Sequence, residues 1–249
     1  MSRKEHAVTY IDGFVIACPK ANKDKFIAHA KFGDSVFIDL GATRIVECWG
    51  DDVPEGKTTD FRMAVKAEAD EEVVFSWIEW PDKMTRDAAM ATMISPDFKD
   101  PRMDSEKNPM PFDAKRMIFG GFAPVVEERW SDGGLGYVDG FIGPVPERSK
   151  DAYTRMSAEM ATVYRDEGAL FDLENWGDDV PDGKVTDFRR ASKAEAGESI
   201  AFAFVGWPDK ATRAAAWVKM MEMPPPADMP FDGKRVFFGG FEPVVILEK

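Results

Sequence analysis

The sequence predicts an α+β protein built from two tandem ferredoxin-like βαββαβ repeats. Their sheets pack against each other as an intramolecular, pseudo-dimeric α/β barrel. Three observations carry that expectation. The stretch Glu47 to Glu68 (ECWGDDVPEGKTTDFRMAVKAE) returns at Glu174 to Glu195 as ENWGDDVPDGKVTDFRRASKAE, with 17 of 22 positions identical and a constant offset of 127. One ancestral unit is therefore written twice. Within each unit the apolar periodicity gives the order strand, helix, strand, strand, helix, strand, which is that of a split β-α-β sheet with both helices on one face. Finally, several strands are apolar on both alternating faces and so read as buried on two sides. Helices cover one face only, and the nearest cover for the other face is the second unit. The expected boundaries are a first repeat over 1–127, a linker over 128–136 (ERWSDGGLG) and a second repeat over 137–249.

The elements follow in order. Val8 to Ala17 (VTYIDGFVIA) places Tyr10, Phe14 and Ile16 on one face and Ile11, Val15 and Ala17 on the other; its twin begins at Tyr137. Pro19 and Pro146 close these strands. In the second copy Ser149 offers an N-cap. Tyr153, Met156, Met160, Val163 and Tyr164 then form one helical stripe, and Gly168 ends it. The first copy has Phe26, His29, Gly33, Val36 and Phe37 at those positions, with Gly41 as the stop. Strands follow at Arg44 to Trp49 and Phe171 to Trp176. Gly50 to Lys57 reads as a turn region, and Phe61 to Glu68 as a further extended piece. Val73 to Trp80 and Ile200 to Trp207 are strongly apolar strands. Pro81-Asp82 and Pro208-Asp209 open second helices with proline in the first turn, ending near Ile94 and Met221. Beyond them the first copy carries Ser95 to Asn108. The second carries a shorter, proline-rich piece, Met223 to Ala227, read together with Met229 as a rigid loop; the offset falls to 119, eight residues fewer. The last strands, Arg116 to Val126 and Arg235 to Ile246, contain Gly-Gly-Phe, a sign of a bulge or a close backbone approach.

Composition narrows the function. The chain has a net charge of −13, 44% hydrophobic and 31% charged residues, two cysteines and two histidines. Such a field repels phosphate backbones and anionic bilayers, so nucleic acid and membrane are not expected as partners. Cys18 and Cys48 have Val145 and Asn175 as twins and no CxxC spacing, which argues against a zinc site and for a reducing compartment. The N-terminus MSRKEHAVTY lacks the apolar core of a signal peptide. The expectation is a cytoplasmic monomer that acts as a pseudo-dimer, with further dimerisation left open. No metal or cofactor is expected.

The segments YIDGFVIACPK, WGDDVPEGKTTDFRMAVKA, VVFSWIEW and MPFDAKRMIFGGF resemble the bacterial YbaA-like family, domain of unknown function 1428. The resemblance covers nearly the whole chain, and the WGDDVP-x-GK-x-TDF run is its specific part. It implies the dimeric α/β-barrel superfamily, in which two ferredoxin-like units usually meet as separate subunits; here two are fused. The family has no assigned activity. The wider superfamily includes cofactor-free monooxygenases, isomerases, haem-binding enzymes and small-ligand sensors, and fold alone does not choose among them.

Four sets of residues invite chemistry. Asp12 and Asp139 stand in otherwise buried strands and need a cation or several donors. Arg62/Arg189, Lys66/Lys193 and Arg116/Arg235 are paired candidates for that role, and Glu47/Glu174 lie in the second strands. Together they make either a buried ion-pair network or a polar floor for a carboxylate-bearing or hydroxylated ligand. His29 with Gly33 replaces two methionines one helical turn apart. A histidine beside vacated volume could be a general base or a haem ligand, or a surface residue with Phe32 turned in to fill the gap. Asp51-Asp52 and Asp178-Asp179 could bind Mg²⁺ or Ca²⁺, or serve turn chemistry. Trp49/Trp176, Trp80/Trp207, Phe122/Phe241 and Trp77 either stack a flat ligand or fill the core. The expected function is a small-molecule-binding barrel. The alternatives are a cofactor-independent monooxygenase- or isomerase-like enzyme with His29 as base, and an interaction protein with a filled core.

Overall fold

The structure is a computed structural model and describes residues 9–223 and 228–249. The proline-rich piece of the second copy lies mostly outside the described residues. The first unit comprises β1 (Tyr10–Pro19), α1 (Lys23–Gly33), α2 (Ser35–Asp39), β2 (Arg44–Asp52), α3 (Phe61–Ala64), β3 (Glu71–Trp80), α4 (Lys83–Met93) and β4 (Ile118–Arg129). The second comprises β5 (Tyr137–Pro146), α5 (Lys150–Asp166), β6 (Phe171–Asp179), α6 (Phe188–Ala191), β7 (Glu198–Trp207), α7 (Lys210–Glu222) and β8 (Phe237–Glu248).

All strand pairs are antiparallel, and the eight strands close into one barrel in the order β1-β3-β2-β8-β5-β7-β6-β4. The two four-stranded sheets thus face each other and also join at both edges. β2 pairs with β8 of the other unit, and β4 with β6, each with two register shifts. Closure removes every exposed sheet edge.

The inner face explains the two-sided apolar strands. Ile11, Val15, Val46, Phe75, Trp77 and Phe122 meet Val138, Ile142, Leu173, Phe202, Phe204 and Phe241 in one cluster. Phe75 and Phe202 stack across the pseudo-twofold with ring centroids 4.9 Å apart. Gly13 faces the Phe202 ring and Gly140 the Phe75 ring; a Cβ at either would lie under 3 Å from it. The Asp-Gly of both first strands therefore makes room for the other unit's phenylalanine. The barrel interior is filled with side chains, so a ligand site must lie outside it.

Phe61 to Glu68 does not extend the sheet. Phe61–Ala64 is one helical turn capped by Asp60, whose side chain accepts from the Met63 amide; Asp187 does the same for α6. A single turn is too short to show helical periodicity, which is why the segment reads as extended. The turns insert Phe61 and Phe188 into the barrel core and tie the units together: Thr59 donates to the Ala191 carbonyl at 2.6 Å and Thr186 to that of Ala64 at 2.7 Å. Pro81 and Pro208 sit before the helix rather than in its first turn. The caps are Asp82 and Asp209, which accept from the Thr85 and Thr212 amides. Ser149 occupies the N-cap of α5 without a side-chain cap bond.

Candidate functional site

The outer sheet face of the first unit does not meet its helices everywhere. Between β1, β2, β3 and α1–α2 lies a cavity of about 430 Å³, lined by Phe14, Phe26, His29, Gly33, Asp34, Phe37, Glu47 and Phe112 among others. The twin space in the second unit holds only about 120 Å³ and is lined by Met156 and Met160. These are the residues that stand where the first unit has His29 and Gly33. The first unit therefore lacks the two methionine side chains that line the twin space. The longer segment after α4 supplies Arg102, Met103, Ser105 and Asn108 as an outer wall.

That wall is anchored by specific bonds. Arg102 donates to Asp39 at 2.7 Å, to Ser35 at 3.1 Å and to Asp100 at 2.6 Å. Asn108 Nδ2 donates to the Arg102 carbonyl at 2.9 Å, which turns its Oδ1 towards His29. His29 Nδ1 therefore carries the proton and donates to Asn108 Oδ1 at 2.9 Å, leaving Nε2 as an acceptor. Burial holds the imidazole below its ordinary range despite this bond, so the ring is neutral at pH 7. Gly33 lets Asn108 approach closely, because a Cβ there would lie 2.9 Å from Asn108 Nδ2.

Opposite His29 the cavity floor carries two acids. Glu47 on β2 is 8% exposed and accepts from the Ser76 hydroxyl on β3. Asp34, at the break between α1 and α2, stands against the Glu47 carboxyl, and no donor from any other side chain or backbone group meets its buried Oδ2. Two carboxyls can bond only if they share a proton, and burial favours that state. It lifts Asp34 to about 7. Burial and the adjacent Asp34 charge lift Glu47 well above the usual carboxylate range. The site thus places a neutral imidazole and a proton-holding acid pair around one apolar cavity. Among the described residues no lysine or arginine pairs with either acid, and no cluster of three metal-ligating side chains occurs.

The second unit keeps Glu174, which accepts from the Tyr153 hydroxyl and is lifted to about 7 by burial. It also has a second acid, at another position. Asp172 is fully buried two residues before Glu174 on β6, with neither oxygen bonded; its twin is Ile45, and the twin of Asp34 is Ala161.

Asp12 and Asp139 lie elsewhere, and their cations are not those expected from the sequence. Asp12, 2% exposed, is bound by Arg86 on α4 at 2.9 to 3.2 Å and by Trp80 Nε1 at 2.8 Å. Asp139 is bound by Arg213 on α7, Trp207 and Trp217. Arg116 and Arg235 instead form bidentate pairs with Glu71 and Glu198. Arg62 and Arg189 donate to nearby carbonyls. Lys66 and Lys193 mark positive-φ turns whose carbonyls accept from Arg116 and Arg235. Arg86 and Arg213 stand on α4 and α7, outside both the repeated 22-residue stretch and the last strand, where sequence nearness to Asp12 and Asp139 gives no sign of them.

The same groups explain the doubled aspartates. Arg86 reaches Asp179 of the other unit and Arg213 reaches Asp52, both at 2.8 Å. Tyr10 donates to Asp178 at 2.9 Å and Tyr137 to Asp51 at 2.7 Å. Lys83 and Lys210 add ion pairs to Asp178 and Asp51. Asp51-Asp52 and Asp178-Asp179 are therefore more than turn formers; each pair clasps the other unit. The Gly-Gly of β4 and β8 admits the Tyr10 and Tyr137 rings at that seam. Of the aromatic set, Trp77, Phe122 and Phe241 fill the barrel. Trp49 and Trp176 pack under α1 and α5.

Known proteins share this architecture. The full chain aligns with a candidate monooxygenase from Fusobacterium nucleatum at TM-score 0.58 and 9% identity, covering 98% of this chain and 96% of that one. It aligns with an anthrone oxidase-like protein at TM-score 0.57 and 11% identity, covering 98% and 94%. At such identities the likeness is one of fold. The uncharacterized protein YbaA of Escherichia coli K12 is 56% identical over 119 residues, which is 48% of this chain and 98% of that protein. It corresponds in length to a single repeat. The model of the protein family of unknown function DUF1428 matches residues 9–114 and again 136–233. This chain belongs to the DUF1428 family and carries its domain twice.

Proposed function

We propose that the first unit binds a small apolar molecule with one polar handle, in the cavity between its sheet and α1–α2. The second unit then serves mainly to complete the barrel. The observation that carries this reading is the inequality of two otherwise matching spaces. About 430 Å³ stands open where His29 and Gly33 replace methionines, against about 120 Å³ in the twin. The larger volume lies within the range of small-molecule sites, ~300–1,000 Å³. Unfilled volume lowers stability, so a cavity also walled by an inserted segment is better explained by use than by neglect.

A second reading adds catalysis. A neutral His29 can take a proton and the acid pair can give one, which suits cofactor-independent proton transfer on a bound ligand. The neighbours described as a candidate monooxygenase and an anthrone oxidase-like protein agree with it. The same proposal places the protein in the cytoplasm as a monomer; no helix among the described residues is long and apolar enough to cross a membrane.

The test restores the second unit's own residues. The double variant His29→Met/Gly33→Met should keep the fold by circular dichroism. It should lose every metabolite-induced rise in melting temperature that the natural chain shows in a thermal-shift screen. Hits that persist in the filled variant would overturn the assignment of the cavity.

A further inference from the structure

The cavity wall is unbalanced in its hydrogen-bonding capacity. Its buried polar atoms are acceptors: Asp34 Oδ2 has no donor beyond its acid neighbour, and Glu47 has only the Ser76 hydroxyl and the same neighbour. The proton of His29 is committed to Asn108. The one cation in the wall, Arg102, is committed to Asp39, Asp100 and Ser35. Around these acceptors stand the rings of Phe14, Phe26, Phe37 and Phe112, whose faces are electronegative. Buried acids without a cation are costly, yet open volume has been kept beside these. The second unit repeats the theme with Phe141, Tyr153, Tyr164 and Phe231 around Glu174. There the Asp34 position is Ala161, so Glu174 is the acid lining that space.

We infer that the ligand of the first unit's cavity is an organic amine, whose N–H groups meet Asp34 and Glu47 while its apolar body lies against the phenylalanine rings. This rests on the reading of the cavity as a small-molecule site. A carboxylate-bearing ligand is disfavoured, because it would face two acids and no free cation. Binding has a definite proton balance. Where the pair still holds its shared proton, the ammonium displaces it, and the proton leaves to solvent. Where the pair is already ionised, the ammonium enters with no proton released.

The test is calorimetric titration of the full chain with 2-phenylethylamine, 2-phenylethanol and phenylacetate, which differ only in the handle. At about pH 8 the amine should bind at least about tenfold more tightly than the alcohol, and phenylacetate should not bind. Towards about pH 5.5 the amine should weaken by about tenfold per unit, with a heat that depends on buffer ionisation. Gly33→Met should abolish binding, and Asp34→Asn, which preserves size and removes a repulsion, should weaken the amine by about tenfold while sparing the alcohol. If amine and alcohol bind equally and Gly33→Met removes both, the cavity stands as a site and the amine assignment falls. If no probe binds, or binding ignores Gly33→Met, both fall.

Discussion

Replacing Arg86 by methionine should destabilise the protein more than replacing its twin Arg213. Each arginine neutralises a buried aspartate and reaches across to the other unit. Asp12 is 2% exposed, and without Arg86 it keeps one donor, Trp80 Nε1 at 2.8 Å. Asp139 is 1% exposed but keeps two, Trp207 Nε1 and Trp217 Nε1, each at 2.9 Å. Removing one partner of a buried ion pair costs about 3–5 kcal/mol. A hydrogen bond to a charged group returns about 1.5–3 kcal/mol. Arg86→Met should therefore lose about 3–5 kcal/mol, and Arg213→Met at least ~1.5 kcal/mol less. Urea unfolding at pH 7 reads this as two shifts in midpoint at unchanged slope. Adding Trp217→Phe to Arg213→Met should close the gap. The pH dependence has a definite sign. Burial already raises Asp12 above the usual carboxylate range, and loss of Arg86 raises it further. A carboxyl with a raised folded pKa favours folding at low pH, so the deficit of Arg86→Met should shrink on acidification towards about pH 4. Equal losses or a reversed order would refute the donor count, and losses below about 1 kcal/mol would refute the view that each arginine neutralises a buried aspartate.

Other outcomes follow from the same geometry. Asp34 titrates at about 7 in the folded protein against its unfolded value near 3.9. Its contribution to stability is therefore full below about pH 4 and is lost as pH rises through about 7. Asp34→Asn should flatten that slope and gain on the natural chain by a few kcal/mol between those limits, and a constant difference across a urea series at several pH values would contradict it. Gly13→Ala should cost about 1–3 kcal/mol, because its Cβ would press on the Phe202 ring; a neutral result in thermal melting would show that the barrel core can yield. Cys18 and Cys48 are buried, and burial pushes the Cys18 thiol up to about 11. Neither should react with a thiol reagent in the native state and both should in denaturant; a fast native reaction would show local opening.

The barrel was legible because its causes are local and doubled. The two-sided apolar strands, the repeat and the glycine of Asp12-Gly13 all appear in the chain as pattern. The core helical turn at Phe61 left no period to read. The site was half legible. His29 and Gly33 stood out as departures from their methionine twins, and Glu47 as an acid in a buried strand. Asp34 was missed although it too departs from its twin, Ala161, because it sits just beyond the stripe that the helix pattern traces. Asn108 and Arg102 lie in the segment absent from the second unit, where no twin exists for comparison. The partners of Asp12 and Asp139 were misassigned because sequence nearness to the repeated motif is a poor guide to what a helix lays across a sheet.

The crossed clasp has an evolutionary consequence. When such a barrel forms from two identical chains, any substitution is imposed on both sides at once, and a costly hollow is opened twice. Joining the copies end to end breaks that rule: one side can be hollowed while the other stays solid and carries the structure. The larger chamber beneath α1, beside a sibling narrowed by methionine, is what such a division of labour leaves behind.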